Sequence, residues 1–320
     1  MTELKINFTF QALIDAPIID VNQSPQLEGN VNGPSLIKVP GWVKNPMAIY
    51  YLYFAHHRGK SIRLALADKL TGPWTLSEAP ALDLANSLFP IDQPAYADLD
   101  EQVKQDIANG DDGNYPHIAS PDVIVDEECQ QIRLYYHGRL NNGTQVTRVA
   151  LSDDGLNFVA QPGILGGPYF RTFRLQDYIY AMAMPGVLYR SKDGLSDFEI
   201  GPTIINQAIR HFAFLEQGGD FFVFWTRVGD VPERILCSTL LRHENWHEWT
   251  VGPEAEIHRP LQSWEGSRQP LIPSRYGESK QPANQLRDPA IYAENNRIYL
   301  LYAIAGEQGI AIGELTLTVK

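Results

Sequence analysis

Thiols are scarce in this chain: Cys129 and Cys237 are the only two cysteines in 320 residues. Each stands beside or within a strand-like run and outside any spaced motif, so there is no disulfide framework and a reducing compartment is expected. Basic charge is also short, with 26 Lys and Arg against 38 Asp and Glu for a net charge of -12. Nucleic acid and anionic membrane surfaces both require clustered cations, and this balance opposes them as partners. No run approaches the ~18 uninterrupted apolar residues of a membrane span. Residues 1–10 lack a basic region followed by an apolar run, and the chain reads as cytoplasmic. A glycine-rich phosphate loop, a nucleophile elbow and paired CxxC motifs are missing too, which removes the nucleotide, serine-hydrolase and zinc-ribbon readings.

Aromatic residues, by contrast, make up 11% of the chain, with 15 Tyr and 13 Phe, a balance that favours strands. Residues 32–39, 49–54 and 61–67 are three apolar runs punctuated by turn residues, with no helical period between them. The succession restarts at residues 119, 166, 210 and 287. The turns at 152–158 and 191–198 echo each other as Ser-x-Asp-Gly leading to Phe158 and Phe198. Five units average about 64 residues, long for four-stranded blades until their loops are counted. The fifth unit supplies only three strands. Residues 5–10, whose apolar side chains alternate at period two, are the natural donor of the fourth. The expected fold is an all-β, five-bladed β-propeller, one domain over residues 1–320, closed into a ring by its N-terminal strand. A β-sandwich is the competing architecture, and the radial repeat of turns disfavours it. Residues 77–115 break the pattern with a helix-compatible run at 96–107, expected as an insertion that walls one face.

The first strand of each blade lines the central channel. Superposing the five strand starts on their proline or the residue equivalent to it brings Gly33, Ser120, Gly167, His211 and Asp288 to one ring position, where only Asp288 is a carboxylate. The segments carrying residues 32–37, 50–54, 66–74, 120–123 and 287–291 together resemble the five-bladed propeller glycoside hydrolases of family 43 and their relatives in families 32, 62 and 68. That resemblance implies hydrolysis of a glycosidic bond by an Asp base, a pKa-tuning Asp and a Glu acid. The positions matching that triad here are Gly33, Gly167 and His211.

Chemistry is therefore assigned to other carboxylates: Asp288 first, then Asp122 and Glu265, the last with Trp264 as apolar cover. A base or nucleophile suits a carboxylate of low pKa, whereas a general acid needs a desolvated one. Histidines recur at the blade mouths, and His57, His117, His137 and His211 are expected to converge as substrate contacts, acid–base groups or ligands of a divalent metal. Their spacing matches no metal motif, and no cofactor is assigned. Asn32, Arg58, Arg171, Arg287 and Trp225 complete the expected sugar-binding set, with Arg139 and Arg227 also near the mouths. A guanidinium-rich cavity suits a carboxylate or a heavily hydroxylated ligand. The partner is a small carbohydrate, and no oligomeric state is implied. Two alternatives stay open: a lyase using His or Tyr as base and Arg to neutralise a uronic acid, and a sugar-binding propeller without chemistry that stacks its ligand on Trp42, Trp225, Trp264, Tyr169 or Phe170.

Overall fold

The structure, a computed structural model, describes residues 8–109 and 114–317. Five antiparallel sheets follow one another along the chain as the blades of a β-propeller. Their inner strands are Asn32–Lys38, Ile118–Asp126, Arg171–Leu175, Ile209–Gln217 and Arg287–Glu294, and each is hydrogen-bonded to the next strand in sequence. The ring closes as expected. Phe8–Ala12 pairs antiparallel with Gly309–Leu317 and becomes the outer strand of the fifth blade. Residues 5–7 of the predicted strand lie outside the described residues.

The second strands explain why the sequence reads as continuous apolar runs. Each sheet is covered on both faces, so both parities of side chain are buried. In Tyr50–Ala55, Tyr51, Tyr53 and Ala55 join a core shared with the second blade, while Tyr50, Leu52 and Phe54 join one shared with the fifth. The hydrophobic core is thus divided into five wedges, one between each neighbouring pair of blades. Trp225 is packed in the wedge between the third and fourth blades, with its Nε1 3.3 Å from Ser238 Oγ.

The echoing turns are stitches between blades. Ser152 Oγ accepts from Gly155 N at 2.8 Å, and Asp154 Oδ1 accepts from Leu156 N at 2.7 Å. Ser191 and Asp193 hold Gly194 and Leu195 in the same way, at 3.1 and 2.7 Å. Both glycines are left-handed, a conformation that costs other residues energy. Each turn presents a carbonyl to the preceding blade: Tyr53 donates to Gly155 O at 2.7 Å and Tyr135 to Gly194 O at 2.9 Å.

Residues 75–83 belong to the first blade, as the short strands Thr75–Leu76 and Leu82–Asp83. The insertion proper follows them and contains the helix Glu101–Ala108. Cys129 and Cys237 are both free. Among the described residues no helix is long and apolar enough to cross a membrane.

The closing strand, paired at five positions with Gly309–Leu317, is also packed through Phe8, which is buried and meets the rings of Phe222 and Phe224 at centroid distances of 5.2 and 5.3 Å. Phe8→Ala is expected to cost about 3 kcal/mol, read as a lower urea midpoint at unchanged slope. A loss below about 1 kcal/mol would show that the ring holds without this contact.

Candidate active site

Four inner strands begin with a bulge, where two residues of the inner strand interrupt its register with the second strand. The bulges fall between Asn32 and Ser35, Ala119 and Asp122, Ile209 and Phe212, and Arg287 and Ala290. Gly33, Ser120 and Asp288 occupy the left-handed region there, and Tyr169 does so just before the third inner strand. This revises the ring inferred by superposing prolines. Tyr169, rather than Gly167, has the backbone of the ring position in the third blade. In the fourth, where no proline stands, the bulge encloses Arg210 and His211 together.

At the axis these positions meet. Gly33 N donates to Asp288 Oδ2 at 3.2 Å, and a Cβ added to Gly33 would come within 3.2 Å of Ser120 Cα. His211 Nδ1 bonds Asp288 Oδ1, and His211 Nε2 lies 2.8 Å from Ser120 Oγ. All three side chains are buried, with 3%, 5% and 1% exposure for Ser120, His211 and Asp288. Burial alone would raise the Asp288 carboxyl, but His211 and Arg210 outweigh it and hold the group below its ordinary value. Burial also lowers His211, against the pull of Asp288. The pair is therefore a carboxylate and a neutral imidazole. A carboxylate can only accept, so Nδ1 carries the ring proton, Nε2 offers its lone pair, and the Ser120 hydroxyl donates to it.

Ser120 and His211 open onto a cavity of about 700 Å3, while Asp288 stands behind His211 and does not line it. Asn32, His57, His117 and His137 line it as expected. So do Tyr115, Tyr169, Tyr276, Arg139 and Arg210, with Asp106 from the helix of the insertion and residues 274–277 of the long loop before the fifth blade. The insertion and the long loop thus both wall the site. His117 Nδ1 donates to Tyr115 O at 3.1 Å, so its Nε2 accepts from His137 Nε2 at 3.3 Å. Burial lowers His117 to about 3 and His137 well below its usual value, and both are neutral. The Tyr169 ring stands 4.2 Å from that of His137 and 4.6 Å from that of His211, and burial pushes its hydroxyl up to about 12.

The remaining expected residues are engaged elsewhere. Asp122, raised by burial, accepts from Thr172 N and Oγ1, both at 2.8 Å, and lies 3.5 Å from Arg171. Arg171 also donates to Pro121 O and, at 3.2 Å, to Pro34 O, tying three blades together near the axis. Glu265 accepts from Tyr302 at 2.7 Å and from Leu261 N and Gln262 N at 2.8 and 2.9 Å, and contacts His258 at 2.5 Å. Its carboxylate anchors the long loop. Arg287 turns from Asp288 to Glu307, at 2.7 Å, and to Gln285. Arg58 pairs with Glu278 at 3.2 Å and lies over the Tyr115 ring, while Arg227 contacts Glu254. Trp42 and Trp264 bond Glu127 and Asp15, and Phe170 fills a wedge between blades. Among the described residues, no group of three or more His, Cys, Asp or Glu side chains is placed to hold a metal ion. The missing elbow motif had argued against a serine–histidine–carboxylate array, yet one is assembled here from three separate blades. Its signal in the sequence was faint: a hydroxyl, an imidazole and a carboxylate at the starts of inner strands.

No protein-family model matches the chain. An uncharacterized protein of Acanthamoeba polyphaga mimivirus is 33% identical over 308 residues, spanning 88% of this chain and 82% of that protein. Among solved structures, a family-43 β-xylosidase/α-arabinofuranosidase from a compost microbial metagenome, in complex with xylotriose, matches with a TM-score of 0.57 at 12% identity, covering 98% of each chain. The α-L-arabinanase of Cellvibrio cellulosa, complexed with arabinohexaose, matches with a TM-score of 0.54 at 13% identity, covering 91% of this chain and 95% of that one. At such identities the likeness is one of fold, that of the family-43 five-bladed propellers.

The buried neutral histidines make stability depend on pH. Between about 6.5 and about 3 the unfolded chain binds a proton at His117 that the folded chain refuses, so stability is lost as pH falls through that window. The loss approaches about 1.4 kcal/mol per pH unit for each such histidine. His117→Gln is expected to flatten the decline in melting temperature between pH 7 and pH 5, and an unchanged slope would place the proton uptake elsewhere.

Proposed function

The chain belongs to one family with the mimivirus protein, and on that premise, with the family-43 propeller fold, we propose that it is a carbohydrate-active enzyme cleaving a glycosidic bond of a short oligosaccharide or terminal sugar in the axial cavity. The observation that carries this reading is His211, open to the cavity on one side and backed by the Asp288 carboxylate on the other. A neutral imidazole in that setting takes a proton from water or substrate, and the carboxylate behind it stabilises the imidazolium that forms. Tyrosine rings at 115, 169 and 276 give the walls flat surfaces for sugar faces, and Asn32 and Arg139 bring hydrogen-bonding groups to the same space. The two walling segments narrow the mouth and favour a short substrate.

Hydrolysis by paired carboxylates requires two of them about 5 to 9.5 Å apart across the scissile bond. Asp106 is the acidic residue among the described lining, and Asp288, Asp122 and Glu265 stand outside it. The acid–base work is assigned to imidazole and phenol instead. That assignment favours one second reading, elimination on a uronic acid sugar. There Arg139, with Arg210 already paired to buried Glu233 at 3.6 Å behind it, would face the sugar carboxylate, His211 would take the adjacent proton and a tyrosine would protonate the leaving oxygen.

The two reactions differ in product. A panel of xylotriose, arabinohexaose and oligouronates should yield a reducing sugar by hydrolysis or an ultraviolet-absorbing unsaturated end by elimination. His211→Ala and Asp288→Asn are each expected to lower turnover by about 10²- to 10⁴-fold. Because His211 titrates below its usual value, the acid limb of the rate profile is expected below pH ~6.5. Full turnover in both variants, or a sugar-induced rise in melting temperature without product, would overturn the catalytic reading.

A further inference from the structure

We infer that Ser120 is a nucleophile and that the same cavity removes acyl groups from O-acylated sugars, a second activity beyond cleavage of the sugar chain. The inference rests on the sugar reading only for the identity of the alcohol. The acyl chemistry stands on Ser120, His211 and Asp288 alone.

A hydroxyl, an imidazole and a carboxylate are joined here in unbroken order. Ser120 Oγ lies 2.8 Å from His211 Nε2, and His211 Nδ1 bonds Asp288 Oδ1. A nucleophilic serine needs this connectivity, because the base must hold its lone pair towards the hydroxyl and be oriented from behind. The two reacting groups line the cavity and the orienting carboxylate is withdrawn from it. The bland account is that Ser120 merely satisfies a buried ring nitrogen. Against it stands the placement: Ser120 has a φ of 52°, a left-handed backbone it shares with Asp288 and Tyr169 at the other blade mouths and for which the first blade uses Gly33, and of these Ser120 is the one that turns a hydroxyl to the imidazole at the edge of the cavity. A non-glycine residue there carries a cost of about 1 kcal/mol or more, and its hydroxyl reaches both the imidazole and the open cavity. A strained backbone presenting a serine to a site is also how nucleophile elbows work.

The step balances without a cofactor. Ser120 Oγ attacks the acyl carbon while its proton passes to His211 Nε2. The tetrahedral oxyanion collapses, breaking the ester bond, and the sugar oxygen leaves with the proton from Nε2. Water then attacks the acyl-serine, gives a proton to His211, and releases a carboxylic acid as that proton returns to Ser120. Asp288 stays ionised throughout. The Asn32 amide and the Arg210 guanidinium line the same cavity; Asn32 already donates weakly to Asn30 at 3.4 Å and Arg210 to Gly277 O at 3.1 Å, and their remaining N–H groups are assigned to the oxyanion. Ala119, Met184 and Val228 give it apolar wall, enough for a short acyl chain such as acetyl.

The test uses the full chain with a fluorophosphonate probe and an O-acetylated xylo-oligosaccharide. One covalent adduct is expected by intact mass, mapped to Ser120, together with acetate release. Ser120→Ala should lose the adduct and lower acetate release about 10³-fold or more. Ser120→Gly removes the hydroxyl while relaxing the left-handed backbone, which offsets part of the lost bond to His211, so it should be equally inactive while remaining folded, with a melting temperature at or above that of Ser120→Ala. No adduct, an adduct on another residue, or acetate release that survives in a folded Ser120→Gly protein would overturn the inference. Cleavage of the unacylated oligosaccharide is read separately. If it is absent while Ser120 is labelled, the glycosidic reading fails alone; if it is present while Ser120 stays unlabelled, the acyl inference fails alone.

Discussion

The bond between His211 and Asp288 is the constraint on which the centre of this propeller depends. A carboxylate buried to 1% exposure cannot be stabilised by bulk water, and leaving it unpaired would cost several kcal/mol. Asp288 of the fifth blade is satisfied by the backbone of Gly33 in the first and the imidazole of His211 in the fourth. His211 in turn engages Ser120 in the second. Arg171 brings in the third blade through the carbonyls of Pro34 and Pro121. Every blade is therefore tied to the axis by a polar group, and the five apolar wedges fill the space outside.

That arrangement accounts for the electrostatics of the cavity. The protein is acidic overall, yet its carboxylates near the axis are spent on structure. Asp122 serves Thr172 and Arg171, Glu307 serves Asn30 and Arg287, and Glu265 holds a loop. What faces the cavity is mostly neutral imidazole, phenol, amide and guanidinium. Burial keeps the inner histidines unprotonated, so the lining presents lone pairs and cations instead of a pair of acids.

Much of the fold was legible in the sequence because blade formation is a local matter. The repeated turns, the strand-favouring runs and the period-two alternation before residue 10 each report on neighbours within a few dozen residues. The mouths were less legible. Superposing strand starts on proline worked in the first, second and fifth blades, but the third carries its left-handed residue at Tyr169, after its proline, and the fourth has no proline to align. The histidines at 57, 117, 137 and 211 line one cavity, since a residue at a blade mouth has few other places to point. Asp288, Asp122 and Glu265 do not line it. Whether Asp288 faces the cavity or stands behind His211 depends on a contact 77 residues away in another blade, and no local pattern encodes it. Trp225 shows the same limit: an aromatic at the end of a second strand suits a sugar platform or a wedge equally, and the facing side chains decide for the wedge.

The inner strands of a propeller deliver any side chain at their starts to a common axis, whatever its chemistry. Two ionised carboxylates close together would repel, so one must be neutral or be compensated. In this chain the carboxylate at the ring position, Asp288, accepts from the His211 imidazole and the Gly33 backbone, and His211 in turn meets the Ser120 hydroxyl. This hydroxyl–imidazole–carboxylate line separates the two duties that one residue would otherwise combine. Asp288 keeps the fixed charge and the tie between blades, whereas His211 and Ser120 stand one step nearer and line the cavity.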